Sequence, residues 1–413
     1  MEVTIERILP GGFGLGHAEG KTVMVALAAP GDRLLVRVDR EKGTVCFASI
    51  VEILEPSPHR IEPPCPYFGR CGGCDFQQLS YQAQLDAKVE IIKDCLHRIG
   101  RIENVPAFQI TPAPNQWHYR SRAQWQYDSG EKQLGYYESG SRRVCDVADC
   151  AVLVPELQHE LENLRQQMAE GSLPAAARYF RAVIGDEGVA VSPGLRNPIV
   201  NEVGASEILR TINGQSYTLS AESFFQTNED LLPQLIDAAI SEASGDTAIE
   251  LYSGVGLFTL PLARRFKRVI AVEENRDAAR FARQNLANAS LTNTQIETRD
   301  VANWIDLECS LTPLSFPMVN TKKMTKRRQA GALQIDFLLL DPPRTGAESR
   351  VIDGILQISP KRICYVSCDP ATLARDLRKI IAGGYVLDSI HAFDMFPQTH
   401  HVETIAQLTD GPP

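Results

Sequence analysis

Cys368 stands where an apolar strand meets a helix, in the stretch Ile363 to Asp376, I-C-Y-V-S-C-D-P-A-T-L-A-R-D. Ile363, Tyr365 and Val366 have the pattern of a short buried strand. Asp369 and Pro370 read as N-cap and first helical residue, and Ala371 to Leu377 is a helix-forming run. A thiol at a helix N-terminus faces oriented N–H groups that lower its pKa and raise its thiolate fraction, while the adjacent Asp369 carboxylate acts the other way. The chemistry on offer is nucleophilic addition. Taken alone, a cysteine after a buried strand is more often a small packed hydrophobe, so its weight depends on the company it keeps.

A second reactive group is C-P-Y-F-G-R-C-G-G-C, in which Cys65, Cys71 and Cys74 are spaced C-x5-C-x2-C. Gly72 and Gly73 let the backbone wrap a cluster with its N–H groups aimed at sulfur, and a fourth thiolate must come from elsewhere: Cys150, Cys145 or Cys95. Zinc also accepts four thiolates, but zinc knuckles pair their cysteines as two C-x2-4-C units, whereas here three share one loop. The spacing therefore predicts a [4Fe–4S] cluster.

The elements that must position these groups fall into three regions. Residues 1 to about 58 are short β-branched runs separated by G-G-F-G-L-G, A-P-G-D and E-K-G, as in a small barrel. Gly11, Gly12, Gly14 and Gly16 lie between strands rather than before a helix, so they read as turn chemistry and not as a dinucleotide loop. Residues 59–220 carry the thiols, an amphipathic helix over Tyr81 to Arg98, antiparallel strands over Trp117 to Val147 and a helix over Pro155 to Glu170. The helix 81–98 has an apolar face suited to packing on the third region.

From Ala221 to the end, strands alternate with helices, the signature of a doubly wound parallel sheet. Ala248-I-E-L-Y leads into S-G-V-G, a helix over Phe258 to Arg265, and Val269-I-A-V-E ending in Glu273. Gly254 and Gly256 allow a ligand to approach the backbone, and an acid about 20 residues on meets ribose hydroxyls. The third glycine of a pyrophosphate loop is missing, which suits S-adenosylmethionine better than NAD. Ile335-D-F-L-L-L then delivers D-P-P-R, placing Asp341 and Arg344 at the carboxyl end of a buried strand. In the last strand, V-E-T-I-A-Q-L, Glu403 shares a face with Ile405, an inward place for an acid, although a solvated strand acid is the ordinary alternative.

Composition restricts the partners. The chain has 413 residues, 44% hydrophobic and 23% charged, and a net charge of -9, which is not the overall footprint of a nucleic-acid binder. An RNA site must therefore be local. Arg120, Arg122, Lys132, Arg142 and Arg143 lie among aromatics, and Lys322 to Arg328 holds five basic residues and no acid. No apolar run approaches the roughly 18 residues that cross a bilayer, so no membrane partner and a cytoplasmic monomer are expected.

With these motifs assembled, the chain resembles the RNA (uracil-C5) methyltransferase family, in its subgroup with an N-terminal TRAM barrel and an iron–sulfur cluster. The resemblance covers nearly the whole length. It implies a Rossmann-like class I S-adenosylmethionine-dependent α/β domain, an OB-like TRAM barrel and a central α+β domain with the cluster. G-F-G-L-G, A-P-G-D and P-S-P-H-R match the barrel, and the thiol loop matches the cluster motif. D-V-A-D-C matches the fourth ligand, which selects Cys150. S-F-F-Q-T-N, L-Y-S-G-V-G, V-E-E-N, T-R-D and D-P-P-R implicate Gln226, Tyr252, Gly254, Gly256, Glu273, Asp300 and Asp341 at the cofactor, and Phe224 and Arg344 at the substrate. V-S-C-D-P carries the family's nucleophile, Cys368, and H-V-E-T its base, Glu403. The family commonly has Asn where this chain has Asp369. The implied target is RNA, 23S ribosomal RNA before the tRNA T-loop. Two other readings are an adenine-N6 methyltransferase built on D-P-P-R and a non-catalytic iron–sulfur RNA-binding protein.

Overall fold

The computed structural model describes residues 1–193, 207–311 and 334–411; the basic stretch Lys322 to Arg328 lies outside them. In the first strand, Glu2–Ile8, buried Val3, Ile5 and Ile8 alternate with exposed polar residues, so one face must be covered. The chain covers it by closing into a five-stranded barrel with Gly14–Ala18, Lys21–Val25, Arg33–Lys42 and Val45–Glu55. A Cβ at Gly16 would meet the Thr4 carbonyl at 2.4 Å, so this glycine permits the strands' close approach, in keeping with its place between strands. The barrel's exit is fixed by the buried Asp32 carboxylate, which accepts from the Ser57 N–H at 2.9 Å and from Arg60 Nε at 3.0 Å.

The largest layer is an eight-stranded sheet in the order Thr294–Thr298, Phe266–Glu273, Gly245–Leu251, Phe337–Leu340, Arg362–Ser367, Glu403–Asp410, Tyr385–Phe393, Ile110–Thr111. The first five strands pair in parallel and Glu403–Asp410 runs antiparallel to both of its neighbours. Phe337–Leu340 is buried at every position, as expected of a central strand covered by helices on both faces. The direction of winding reverses between Gly245–Leu251 and Phe337–Leu340, and their carboxyl ends mark the crevice where such sheets bind ligands. The helix after the glycine turn is shorter than the expected Phe258 to Arg265, running over Thr259–Ala263, because Phe266 is already paired with Gly245 in the sheet.

The chain's middle divides spatially. One part is a sheet in the order Gly188–Ser192, Tyr179–Gly185, Arg122–Asp128, Gln133–Tyr137, Val144–Asp146, with Leu157, Leu161 and Leu164 of the helix Pro155–Glu170 packed on Trp125 and Phe180. The other part joins the eight-stranded sheet. Ile110–Thr111 is that sheet's last strand, and Ile91, Ile92 and Leu96 of the helix Tyr81–Arg98 share a core with Leu373, Leu377 and Ile380 of Pro370–Ala382. Lys88 on the former helix is fully buried, paired with buried Asp394, and donates to the Phe396 carbonyl at 3.0 Å. Removing either charge would strand the other in the core, at a cost of about 3–5 kcal/mol. Among the described residues no helix is long and apolar enough to cross a membrane.

Candidate active site

Leu251 and Leu340 are paired neighbours, and the segments that follow them open on one cavity of about 330 Å³ lined by Phe224, Gln226, Tyr252, Gly254, Phe258 and Asp341, among others. Tyr252, Gly254 and Gly256 all have positive φ, at 65°, 55° and 97°. A tyrosine in that region is strained, and such strain persists where the surroundings enforce it, typically at ligand sites. Glu273 is fixed by the loop rather than solvated: its carboxylate accepts from the Gly254 N–H at 2.8 Å and the Asn275 N–H at 2.7 Å. Burial raises its pKa, raises that of Asp341 to about 7, and raises that of Glu250, which accepts from Thr259 Oγ1 at 2.5 Å, to about 8. Of these acids Asp341 lines the cavity, while Glu273 stands behind it on the Gly254 N–H; a cationic ligand would favour their ionised forms, and the buried Ser253 hydroxyl on the lining has no partner. A nucleoside bearing a sulfonium fits that donor set. Asp300 lies outside the lining and accepts from the Asn303 N–H at 2.9 Å as a helix cap.

The two reacting groups predicted from sequence meet through strand register. Ser367 pairs with Thr404 across the antiparallel strands, so one step further along the same register sets Cys368 opposite Glu403. Glu403 is 1% exposed and its Oε1 has no partner; burial, then Asp341, pushes its pKa well above the ordinary value, against the pull of Arg344. The Cys368 thiol corrects the expectation of a thiolate stabilised by the helix. It is pushed up to about 12, first by burial and then by the Glu403 carboxylate, with Arg344 acting against them and Asp341 and Asp369 adding to the rise. Asp369 is engaged as the helix cap, accepting from the Thr372 N–H at 2.8 Å. Cys368 is thus a neutral thiol beside a buried acid, and Arg344 is the cation that opposes both shifts. Phe224 is 67% exposed at the cavity mouth, with the Arg122 guanidinium 5.7 Å from its ring centre, a surface on which a flat base can stack.

Cys65, Cys71, Cys74 and Cys150 line a second cavity together with Arg120 and Tyr136. Neither Cys145, which accepts from Arg70 Nε at 3.2 Å, nor Cys95, which lies in the helix Tyr81–Arg98, is on that lining. Arg120 Nε and the Tyr136 hydroxyl are buried without partners, two donors beside four thiols, which suits an anionic sulfur-rich group. This corrects the reading of Arg120 as an RNA contact, whereas Lys132, Arg142 and Arg143 remain exposed. Among the described residues no three His, Cys, Asp or Glu side chains converge closely enough to hold one metal ion, as tetrahedral zinc at about 2.3 Å from each sulfur requires.

Sequence reasoning missed the contacts between the thiol loop and the segment before Glu403, chiefly Asp75 with His400, and the Lys88–Asp394 pair. These partners are more than 300 residues apart in the chain, and no local pattern announces them.

The sequence model of the tRNA (uracil-5-)-methyltransferase family matches residues 205–410. An uncharacterized RNA methyltransferase of Thermotoga maritima is 30% identical over 99% of both chains. The 23S rRNA (uracil(1939)-C(5))-methyltransferase RlmD of Pectobacterium atrosepticum is 30% identical over 98% of this chain and 93% of that one. In fold, the chain matches the Pyrococcus abyssi tRNA (uracil-54, C5)-methyltransferase, solved with S-adenosyl-L-homocysteine, with a TM-score of 0.73 and 24% identity over 99% of this chain and 100% of that one. A glycine-turn cavity at the sheet's switch point, with a cysteine and a buried glutamate in register at its side, thus recurs in a chain that belongs to the RNA uracil-C5 methyltransferase family.

Proposed function

We propose that this protein converts a uridine of 23S ribosomal RNA to 5-methyluridine, with Cys368 as nucleophile and Glu403 as base. The observation that carries the reading is the register placing a thiol opposite a buried, unpartnered carboxyl beside the cofactor cavity. Carbon 5 of uracil is a weak nucleophile. Once its thiol proton has been lost to water, Cys368 Sγ adds to carbon 6, forming the C–S bond as the carbon 5–carbon 6 π pair shifts to make carbon 5 enolate-like. S-adenosylmethionine would be held by the 252–256 turn and Glu273 and would supply an electrophilic methyl group to carbon 5, its sulfur keeping the electron pair of the broken S–CH3 bond. Glu403 then takes the proton from carbon 5, and the electron pair of that C–H bond restores the ring double bond as the Cys368 thiolate leaves. Arg344 and Gln226 are the donors available to the uracil oxygens as negative charge develops. A stacked base hides carbon 6, so the target enters flipped out, with Phe224 at the entrance.

The ribosomal preference rests on the Pectobacterium relative. The three-part layout does not decide it, because the Pyrococcus tRNA enzyme has the same fold over its full length. The deciding assay uses labelled S-adenosylmethionine with separate 23S rRNA and tRNA pools lacking 5-methyluridine, followed by nucleoside mass spectrometry. Label is expected in 5-methyluridine of the rRNA pool. Label in tRNA moves the target, and label in methyladenosine would transfer the chemistry to the D-P-P-R reading.

In the second cavity, Cys65, Cys71, Cys74 and Cys150 would hold a [4Fe–4S] cluster, which when bound would tie the 65–74 loop to Cys150 in the segment after the strand Val144–Asp146. A cubane spreads its thiolates more widely than a single ion does, and the support for it is that the four thiols line one cavity with Arg120 and Tyr136. Anaerobically isolated protein should contain about four iron and four sulfide per chain, and Cys150→Ser should lose most of both. Stoichiometric zinc without sulfide would replace the cluster with a zinc site.

A further inference from the structure

Within its sheet Glu403 pairs with Phe393, and the chain that leads into it is held from outside that sheet. Between Tyr385–Phe393 and Glu403–Asp410 the chain makes the connection 394–402, whose first part is held by Lys88, Thr111 and Tyr119 and whose last part is held by Asp75, Phe76 and Gln84. The Asp75 and Phe76 N–H groups both donate to the Gln398 carbonyl, at 3.1 and 3.0 Å. The His400 N–H donates to Asp75 Oδ1 at 2.8 Å, and the His400 imidazole Nδ1 donates to the same carboxylate. Gln84 is bonded to Gln398 in both directions, its Nε2 donating to Gln398 Oε1 at 2.9 Å and its Oε1 accepting from the Gln398 N–H at 2.9 Å. The barrel leans on the same point: a Cβ at Gly12 would lie 2.9 Å from Asp75 Oδ2 and 3.3 Å from the His400 Cβ.

We infer that Asp75 is a positioning residue for Glu403: by holding the backbone and imidazole of His400 it fixes the last turn of chain before the base. The inference rests on the reading that Glu403 removes the carbon-5 proton. A loop that entered the strand freely would let the carboxylate drift, and a displacement of about 1 Å can cost about 10²-fold in rate. Asp75 follows Cys74 directly, so whatever orders the thiol loop also orders the base. Without that clamp, Cys368 addition and methyl transfer proceed, proton removal lags, and the C–S bond persists.

The test is single-turnover reaction with RNA, quenched in denaturant, with the protein–RNA adduct resolved on a gel for wild type, Asp75→Ala and Glu403→Gln. Asp75→Ala is expected to accumulate adduct and lose about 10–100-fold in kcat, with KM for RNA and for S-adenosylmethionine unchanged within about twofold. A folded Asp75→Ala with adduct at the wild-type level, or with its defect wholly in KM for RNA, overturns the inference. If Glu403→Gln itself builds no adduct, the base assignment fails instead. Should Asp75→Ala not fold, His400→Phe leaves the His400 backbone N–H bond to Asp75 and removes the imidazole contact, and the same outcomes apply to it.

Discussion

Cys368→Ser is expected to lower 5-methyluridine formation by at least about 10⁴-fold, the scale on which removal of a covalent nucleophile acts, while S-adenosylmethionine binds as before. The cofactor cavity does not include the thiol among its lining residues, so binding and chemistry should separate cleanly. No denaturation-resistant protein–RNA adduct should form. An oxygen nucleophile cannot substitute, because a hydroxyl in the same buried, acid-flanked position ionises less readily than the thiol it replaces. The thiol has its own signature. With its pKa pushed up to about 12 by burial and the neighbouring Glu403, the thiolate fraction rises tenfold for each pH unit below that value, so single-turnover adduct formation should climb steadily from about pH 7 to about pH 9. A plateau near neutrality would mean that bound RNA brings the thiol down, with Arg344 as the cation available to do it. Methyl transfer that survives Cys368→Ser would sink the addition mechanism.

The parts of the site that were legible in the sequence are those encoded locally. The strand, cap and helix around Cys368 follow from adjacent residues, since Asp369 caps the helix and Pro370 begins it. The pairing of Cys368 with Glu403 is not written in either segment, because it depends on the antiparallel register of Arg362–Ser367 with Glu403–Asp410. What could be read was the symptom, an acid on an inward strand face. The direction of the thiol's pKa shift was missed for the same reason. A helix N-terminus acts through adjacent residues and can be seen in sequence, whereas burial and the charge of a residue 35 positions away belong to the assembled fold. Arg120 shows the converse error: basic residues among aromatics look like an RNA face, and only packing reveals that this one turns inward to the thiol cavity. The connection 394–402 was unreadable because its partners, Asp75, Gln84 and Lys88, come from the other end of the chain.

Glu403→Gln is expected to cut turnover by about 10²–10⁴-fold, the range for a general base, and to do so without blocking the first bond. The substitution keeps the shape of the side chain in a site that is 1% exposed but removes the proton acceptor. Addition and methyl transfer precede proton removal, so the variant should accumulate a covalent RNA adduct that already carries the methyl group, visible on a denaturing gel with label from S-adenosylmethionine. A second consequence concerns stability. In the folded protein, burial and Asp341 hold the Glu403 pKa well above its ordinary value, whereas the unfolded chain ionises near pH 4.5. Above that pH the unfolded state has released a proton that the folded state retains, so stability falls as pH rises until the folded pKa is reached. Glutamine has no proton to lose. Glu403→Gln should therefore match or exceed wild type in Tm, by a margin that is small near pH 4.5 and widens towards pH 8. A base that rests protonated and buried must lose that proton before it can act and lowers the stability of the resting protein, and the variant that cuts turnover should recover that stability. If the variant instead melts earlier at pH 8 and traps no labelled adduct, Glu403 is a structural acid and the proton leaves by another route.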